Sequence, residues 1–172
     1  MSALVPVLSK TDIEQKIMET ASKISADYKG KELVLIGVLK GAFIFLADLV
    51  RSLDIPAEID FVGVSSYGNA TSSSGSIQIT KDLQNDLQGK HVLLVEDIVD
   101  SGLTLQHLVA YMRSKRAASV KICTLIDKTE RRQVDLTVDY ACFEVSEGFL
   151  VGYGLDYAEA HRGLPAIYHL KF

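Results

Sequence analysis

The segment HVLLVEDIVDSGLT, residues 91–104, constrains the fold more than any other stretch of this chain. A short unbroken apolar run of this kind suits a strand buried on both faces. It ends in Glu96-Asp97, continues through Ile98-Val99 to Asp100, and turns through Ser101-Gly102-Leu103-Thr104. Beyond the turn, Leu105, Leu108, Val109 and Met112 recur at helical spacing. The chain therefore passes from a buried strand through a glycine turn into a helix, with three acids concentrated at the carboxyl end of the strand.

The same alternation runs through the rest of the chain. Residues 10–29 carry Ile13, Ile17, Ala21 and Ile24 on one helical face, with Thr11 and Glu14 in the form of a capping box and Gly30 as a stop. The run ELVLIGVL reads as a buried strand, and GAFIFLADLVRSL as a helix apolar nearly all round, a composition that suits a subunit interface. AEIDFVGVSSY, ASVKICTLI, YACFEV and FLVGYGL read as further strands. Strands alternating with helices predict an α/β fold, a mostly parallel central sheet flanked by helices. The Ser/Gly-rich run 68–76, between two strand-like runs, is either a surface loop or a mobile lid.

At 172 residues the expectation is one domain over 1–172, large enough to bury about 70% of its unfolded surface without disulfides or metal. With 48% hydrophobic and 23% charged residues the composition excludes disorder and fibrous repeats. Eighteen Lys and Arg against 22 Asp and Glu leave a net charge of −4, so the basic footprint of a nucleic-acid binder is absent. The longest strongly apolar stretch, Ala42 to Val50, carries Asp48 and is too short to cross a bilayer. The start MSALVPVLSK has no charged region ahead of a long apolar run, so no secretory leader is expected. Cys123 and Cys142 lie in apolar runs without a C-x-x-C partner and read as reduced core residues, which fits a cytoplasmic protein. His91, His107, His161 and His169 show no metal-ligand spacing.

Ligands of open α/β sheets bind at the carboxyl ends of the strands. A glycine turn opening a helix offers unpaired N–H groups and the positive end of the helix dipole to a phosphate, and Ser101 and Thr104 add hydroxyls. One acid here would read as a helix cap. Three acids in five positions fit that reading poorly because they repel one another, and beside a phosphate Glu96, Asp97 and Asp100 make sense only if they face something else: a sugar diol, a metal ion or a proton to be removed. The spacing matches neither the Walker loop nor the dinucleotide fingerprint.

VLLVEDIVDSGLT resembles the phosphoribosyl pyrophosphate (PRPP) signature of the type I phosphoribosyltransferases: a hydrophobic strand, two acids, two apolar residues, then Asp-Ser/Thr-Gly-x-Thr. VLKGAF at 38–43, SSYGNATSSSG, LIDKTERR at 125–132 and GFLVGYGLDYAEAHRGLP at 148–165 are similar, in order, to the further motifs of the hypoxanthine-guanine branch. The resemblance covers residues 10–170, with small departures such as Gly154 where some members have Ala. It implies the type I fold, with a small hood formed by N- and C-terminal segments, and transfer of phosphoribose from PRPP to nitrogen 9 of a 6-oxopurine with magnesium. It further implies that Glu96, Asp97, Asp100, Ser101, Gly102, Leu103 and Thr104 bind PRPP, with Asp100 catalytic. Lys40, Gly41, Ser66, Tyr67 and Arg162 are implied for pyrophosphate. Ile98, Lys128, Phe149, Leu150 and Asp156 are implied for the purine, and Glu96, Asp97 and Asp156 for magnesium, which takes only one or two carboxylates directly. Read without the resemblance, Phe149 is a core residue and Lys128 a solvated one, and Thr129 to Arg132 form a mixed solvated loop.

Three other readings share much of this pattern: a phosphoribosyltransferase for another base, a PRPP-sensing regulator that binds nucleic acid, and a mononucleotide-binding protein without chemistry. The absence of a basic arm and the presence of Asp100 weigh against the second. The expected partners are PRPP and a 6-oxopurine, with no nucleic acid and no membrane, in a homodimer or homotetramer.

Overall fold

The computed structural model describes residues 1–66 and 77–172, Ser66 through its backbone only. Tyr67 and the Ser/Gly-rich run 68–76, expected to form a loop or lid, lie outside the described residues.

In chain order the elements are β1 (Ala3–Leu8), α1 (Lys10–Asp27), β2 (Leu33–Leu39), α2 (Phe43–Ser52), β3 (Glu58–Ser66), β4 (Ile77–Lys81), β5 (His91–Val99), α3 (Leu103–Ser114), β6 (Ser119–Lys128), β7 (Tyr140–Val145), β8 (Leu150–Val151) and β9 (Ile167–Lys171). Among the described residues the main sheet runs β4-β3-β2-β5-β6-β7. Every neighbouring pair from β3 to β7 is parallel, and only β4 is antiparallel, against β3. The predicted α/β architecture with a mostly parallel sheet is the one found.

Alternation along the strands divides the core in two. Leu93 and Val95 of β5 face a cluster built with Ile13, Ile17 and Ile24 of α1 and Phe45 and Leu49 of α2. Val92 and Leu94 face the opposite cluster, with Leu105, Leu108 and Met112 of α3. Both faces of β5 are thus covered, which explains its unbroken apolar run.

Local signals moved in three places. Helix α1 is capped one residue before its predicted start. Ser9 Oγ accepts from the Asp12 N–H (3.1 Å), and the Asp12 carboxylate accepts from the Ser9 N–H (3.3 Å), so the capping box is Ser9/Asp12 and not Thr11/Glu14. The predicted helix 41–53 begins at Phe43. FLVGYGL forms only the two-residue strand β8, and that strand does not join the main sheet. Gly148, Gly152 and Gly154 have φ of +99°, +100° and +98°, and Tyr153 has φ +51°, values that break an extended ladder. Instead β8 joins β9, which pairs with β1, in a separate antiparallel sheet ordered β1-β9-β8. This is the hood of N- and C-terminal segments. It sits on the α1/α2 side, where Leu150, Tyr153, Leu155 and Ile167 enter the first core cluster.

Candidate active site at the carboxyl end of β5

The site begins where β5 loses its last partner. The parallel register with β6 ends at Val99 opposite Asp127, and the next residues turn into α3 through Gly102 at φ +84°. A Cβ on Gly102 would lie 2.9 Å from Val134 Cγ2, so a side chain there would be strained and crowded as well. The turn walls a cavity of about 130 Å3 lined by Glu96, Ile98, Val99, Asp100, Ser101, Gly102, Thr104 and Leu105. Leu103 is not in that lining; its N–H donates to Ser101 Oγ (3.3 Å), which shapes the turn.

Glu96 and Asp97 are both buried, each 9% exposed. Glu96 accepts from the Asp97 N–H (3.0 Å), and Asp97 from the Ile98 N–H (2.7 Å). Burial, and then the Asp97 charge beside it, push the Glu96 carboxyl well above the usual carboxylate range. The second Asp97 oxygen faces Gly41, where a Cβ would stand 1.8 Å from it. A Cβ on Gly154 would in turn stand 2.2 Å from the Gly41 carbonyl oxygen. Three chain segments therefore meet at glycine-width distances: the loop before α2, the end of β5, and the hood segment carrying Asp156. This brings Gly41 of the Lys40-Gly41 loop beside Asp97.

Asp156, implied for magnesium and the purine, is held by its own segment. Its Oδ1 lies 3.2 Å from Arg162 Nη2, and its Oδ2 accepts from the Glu159 N–H (2.9 Å). Arg162 also donates to the Gly154 carbonyl (2.7 Å). Among the described residues no group of three or more His, Cys, Asp or Glu side chains is arranged to hold a metal. The pair Glu96 and Asp97 fits a magnesium ion: two adjacent carboxylates, one pushed up by burial and then by its neighbour's charge, beside a cavity with room for phosphate oxygens and water. Glu96 and Asp97 would be the residues to hold it. Lys40 is exposed, with Nζ 3.5 Å from both carboxylate oxygens of Glu159.

The residues implied for the purine lie in different surroundings. Lys128 ends β6 and is only 5% exposed, so it is not a solvated lysine. Its Nζ lies 4.0 Å from Asp100 Oδ2 and 3.4 Å from Glu130 Oε2. Asp100 Oδ1 is buried with no hydrogen-bond partner among the described residues. Ile98 lines the same cavity as Asp100. Phe149 is 42% exposed and so is not a core residue, whereas Leu150 beside it is buried. Two rings meet Phe149 edge-on: Tyr157 with centroids at 5.5 Å and Phe172 at 6.1 Å. Ser66 ends β3, opposite Ile77.

Sequence reading missed two residues here. Glu130 and Arg132 were expected to be solvated, but Glu130 contacts Lys128, and Arg132 donates from Nε to the Asp100 carbonyl (3.0 Å). A charged run gives no sign of which charge folds inward, because that depends on how the loop returns to β5.

Known proteins resemble this chain over nearly its whole length. The family described as "Phosphoribosyl transferase domain" matches residues 7–158. A Bacillus subtilis (strain 168) protein named hypoxanthine-guanine phosphoribosyltransferase is 47% identical over 165 residues, covering 96% of this chain and 92% of that protein. One of the same name from Aquifex aeolicus (strain VF5) is 48% identical over 166 residues, covering 96% and 93%. The crystal structure of a hypoxanthine phosphoribosyltransferase from Staphylococcus aureus superposes with a TM-score of 0.93 at 41% identity, covering 96% of this chain and 90% of that one. Matches that run nearly the whole length of both partners, at this identity and on this fold, have one meaning: the chain belongs to the phosphoribosyltransferase family.

Proposed function

We propose that this enzyme transfers the 5-phosphoribosyl group of PRPP to nitrogen 9 of hypoxanthine, and of guanine, giving IMP or GMP and pyrophosphate, a purine salvage reaction. The observation that carries the choice of base is Lys128. It is a buried cation with donors only, held beside Asp100 at the edge of the cavity. A 6-oxopurine offers a carbonyl acceptor to it, and adenine offers an amino donor.

The turn 100–104 binds the 5-phosphate through its N–H groups and the start of α3. Glu96 and Asp97 hold the ribose hydroxyls. Nitrogen 9 attacks the anomeric carbon as the bond to the pyrophosphate oxygen breaks and the leaving group departs with the electron pair. Asp100 takes the proton from nitrogen 7. Phe149 stacks on the base, with Ile98, Leu150 and Asp156 around it. Lys40, Gly41, Ser66, Tyr67 and Arg162 meet the pyrophosphate. Magnesium, held at Glu96 and Asp97, would neutralise charge on the leaving group. Protein donors aimed at that charge supply the rest of the stabilisation. No described helix is long and apolar enough to cross a membrane, and we place the protein in the cytoplasm as a homodimer or homotetramer.

The experiment is a panel of hypoxanthine, guanine, xanthine and adenine with PRPP and magnesium, following nucleotide and pyrophosphate together. Hypoxanthine or guanine should be converted, and adenine should be poorer by roughly 10,000-fold or more, since a polar site rejects the analogue that leaves its own group unpaired. Efficient use of adenine would overturn the base assignment. PRPP binding with no pyrophosphate released for any base would overturn the enzymatic reading.

A further inference from the structure

We propose that Arg132 is a positioning residue for the reaction, setting the orientation of Asp100 from behind the phosphate turn. The inference rests on the reading of Asp100 as the proton acceptor.

Asp100 is weakly held through its own side chain. One carboxylate oxygen has only the 4.0 Å approach to Lys128, and the other is buried with no hydrogen-bond partner among the described residues. Its orientation must therefore come from its backbone, which has just left the β5–β6 ladder and lost the hydrogen bonds of the sheet. Arg132 replaces them. Its Nε donates to the Asp100 carbonyl (3.0 Å), and its Nη2 reaches the Val99 carbonyl (3.5 Å) and pairs with the Asp127 carboxylate. The next residue continues the tie, with the Gln133 N–H donating to the Ser101 carbonyl (2.9 Å). Arg132 Cδ and Val134 Cγ2 then fill the space where Gly102 has no Cβ.

Three consecutive carbonyls of the turn, at Val99, Asp100 and Ser101, are thus held by one short segment. That segment begins at Lys128, so the residue reading the base and the residue taking its proton are tied to one another within five positions of chain. Only a planar guanidinium can serve two carbonyls and a carboxylate in a fixed fork; a lysine offers a point charge on a flexible stem. The Arg132 side chain is 17% exposed and that of Asp127 15%, so the pair is sheltered from the screening that weakens surface ion pairs.

The test is a double-mutant cycle on kcat for hypoxanthine with PRPP and magnesium saturating. Arg132→Gln should lower kcat about 30- to 100-fold in the wild-type background, the scale produced when a reacting group is misplaced. In an Asp100→Asn background it should cost less than about threefold, because residues acting as one unit are not additive. Asp127→Asn keeps the guanidinium but loosens its anchor, and should show the same dependence with a smaller loss. It carries the cycle if Arg132→Gln does not fold. Equal losses in both backgrounds would overturn the inference and leave the role of Asp100 standing. So would a raised KM for PRPP with kcat unchanged, the signature of a brace for the phosphate turn alone. If Asp100→Asn by itself leaves kcat intact, the proton-transfer reading and this inference both fall.

Discussion

Asp100 and Lys128 are neighbours but carry different burdens. Asp100→Asn keeps the size of the side chain and the turn that Arg132 holds, while removing the group that accepts a proton. Turnover should fall by roughly 100- to 10,000-fold, the usual contribution of a general base, with the dissociation constant for PRPP changed only several-fold by calorimetry. Collapse of PRPP binding would instead make Asp100 a structural or metal-facing group. Lys128→Gln should lower the specificity constant for hypoxanthine sharply and raise that for adenine slightly. An amide can turn its oxygen to accept from the amino group, but it leaves Asp100 and Glu130 without their shared cation. Specificity constants for both bases, measured side by side, decide the point.

At the scale of elements, β5 is held in place partly by the segment that leads into it. Asp60 on β3 is buried, and its carboxylate accepts from the N–H groups of Phe61 (2.8 Å), Gln84 (2.8 Å) and Asn85 (2.9 Å), with Lys81 at 3.8 Å. Burial pushes this carboxyl up, but the three N–H donors and the Lys81 charge outweigh it and hold it below the usual aspartate range. A lowered native value means that Asp60 contributes stability above the ordinary aspartate pKa and loses it as the pH falls through the native one. Asp60→Asn should therefore cost about 1–3 kcal/mol at neutral pH. In urea titrations across pH, the gap to wild type should narrow below about pH 4. A gap independent of pH would mean that shape, and not charge, holds the connection between β4 and β5.

For the molecule as a whole, the apolar character of the helix predicted over 41–53 is only partly used within one chain. Phe45, Leu46 and Leu49 are buried, but Phe43 is 46% exposed. Ile59, on the sheet face shared with Phe61, is 37% exposed. Large apolar side chains left outside suit contact between copies of the chain. Phe43→Glu should shift sedimentation velocity profiles toward the monomer at low micromolar protein, and an unchanged profile would place the interface elsewhere.

The main sheet was legible in the sequence because its central strands β2 and β5 are buried on both faces and its helices on one. Each therefore carries its own period, as in ELVLIGVL and in the spacing Ile13, Ile17, Ala21, Ile24. The acids and glycine after β5 were legible for a related reason: a phosphate turn needs those residue types in that order along one stretch of chain. The hood was less legible. β1 and β9 are short, β1 is exposed along most of its length, and FLVGYGL is apolar enough to read as a core strand although its glycines turn it away. Tertiary structure alone decided how the segments meet. Gly41 faces Asp97 because no Cβ intervenes, Asp156 pairs with Arg162, and Arg132 turns inward to the carbonyls of Val99 and Asp100. Those contacts join residues far apart along the chain. Their energies depend on distances that close only when both partners are already in place, so no local period or motif announces them.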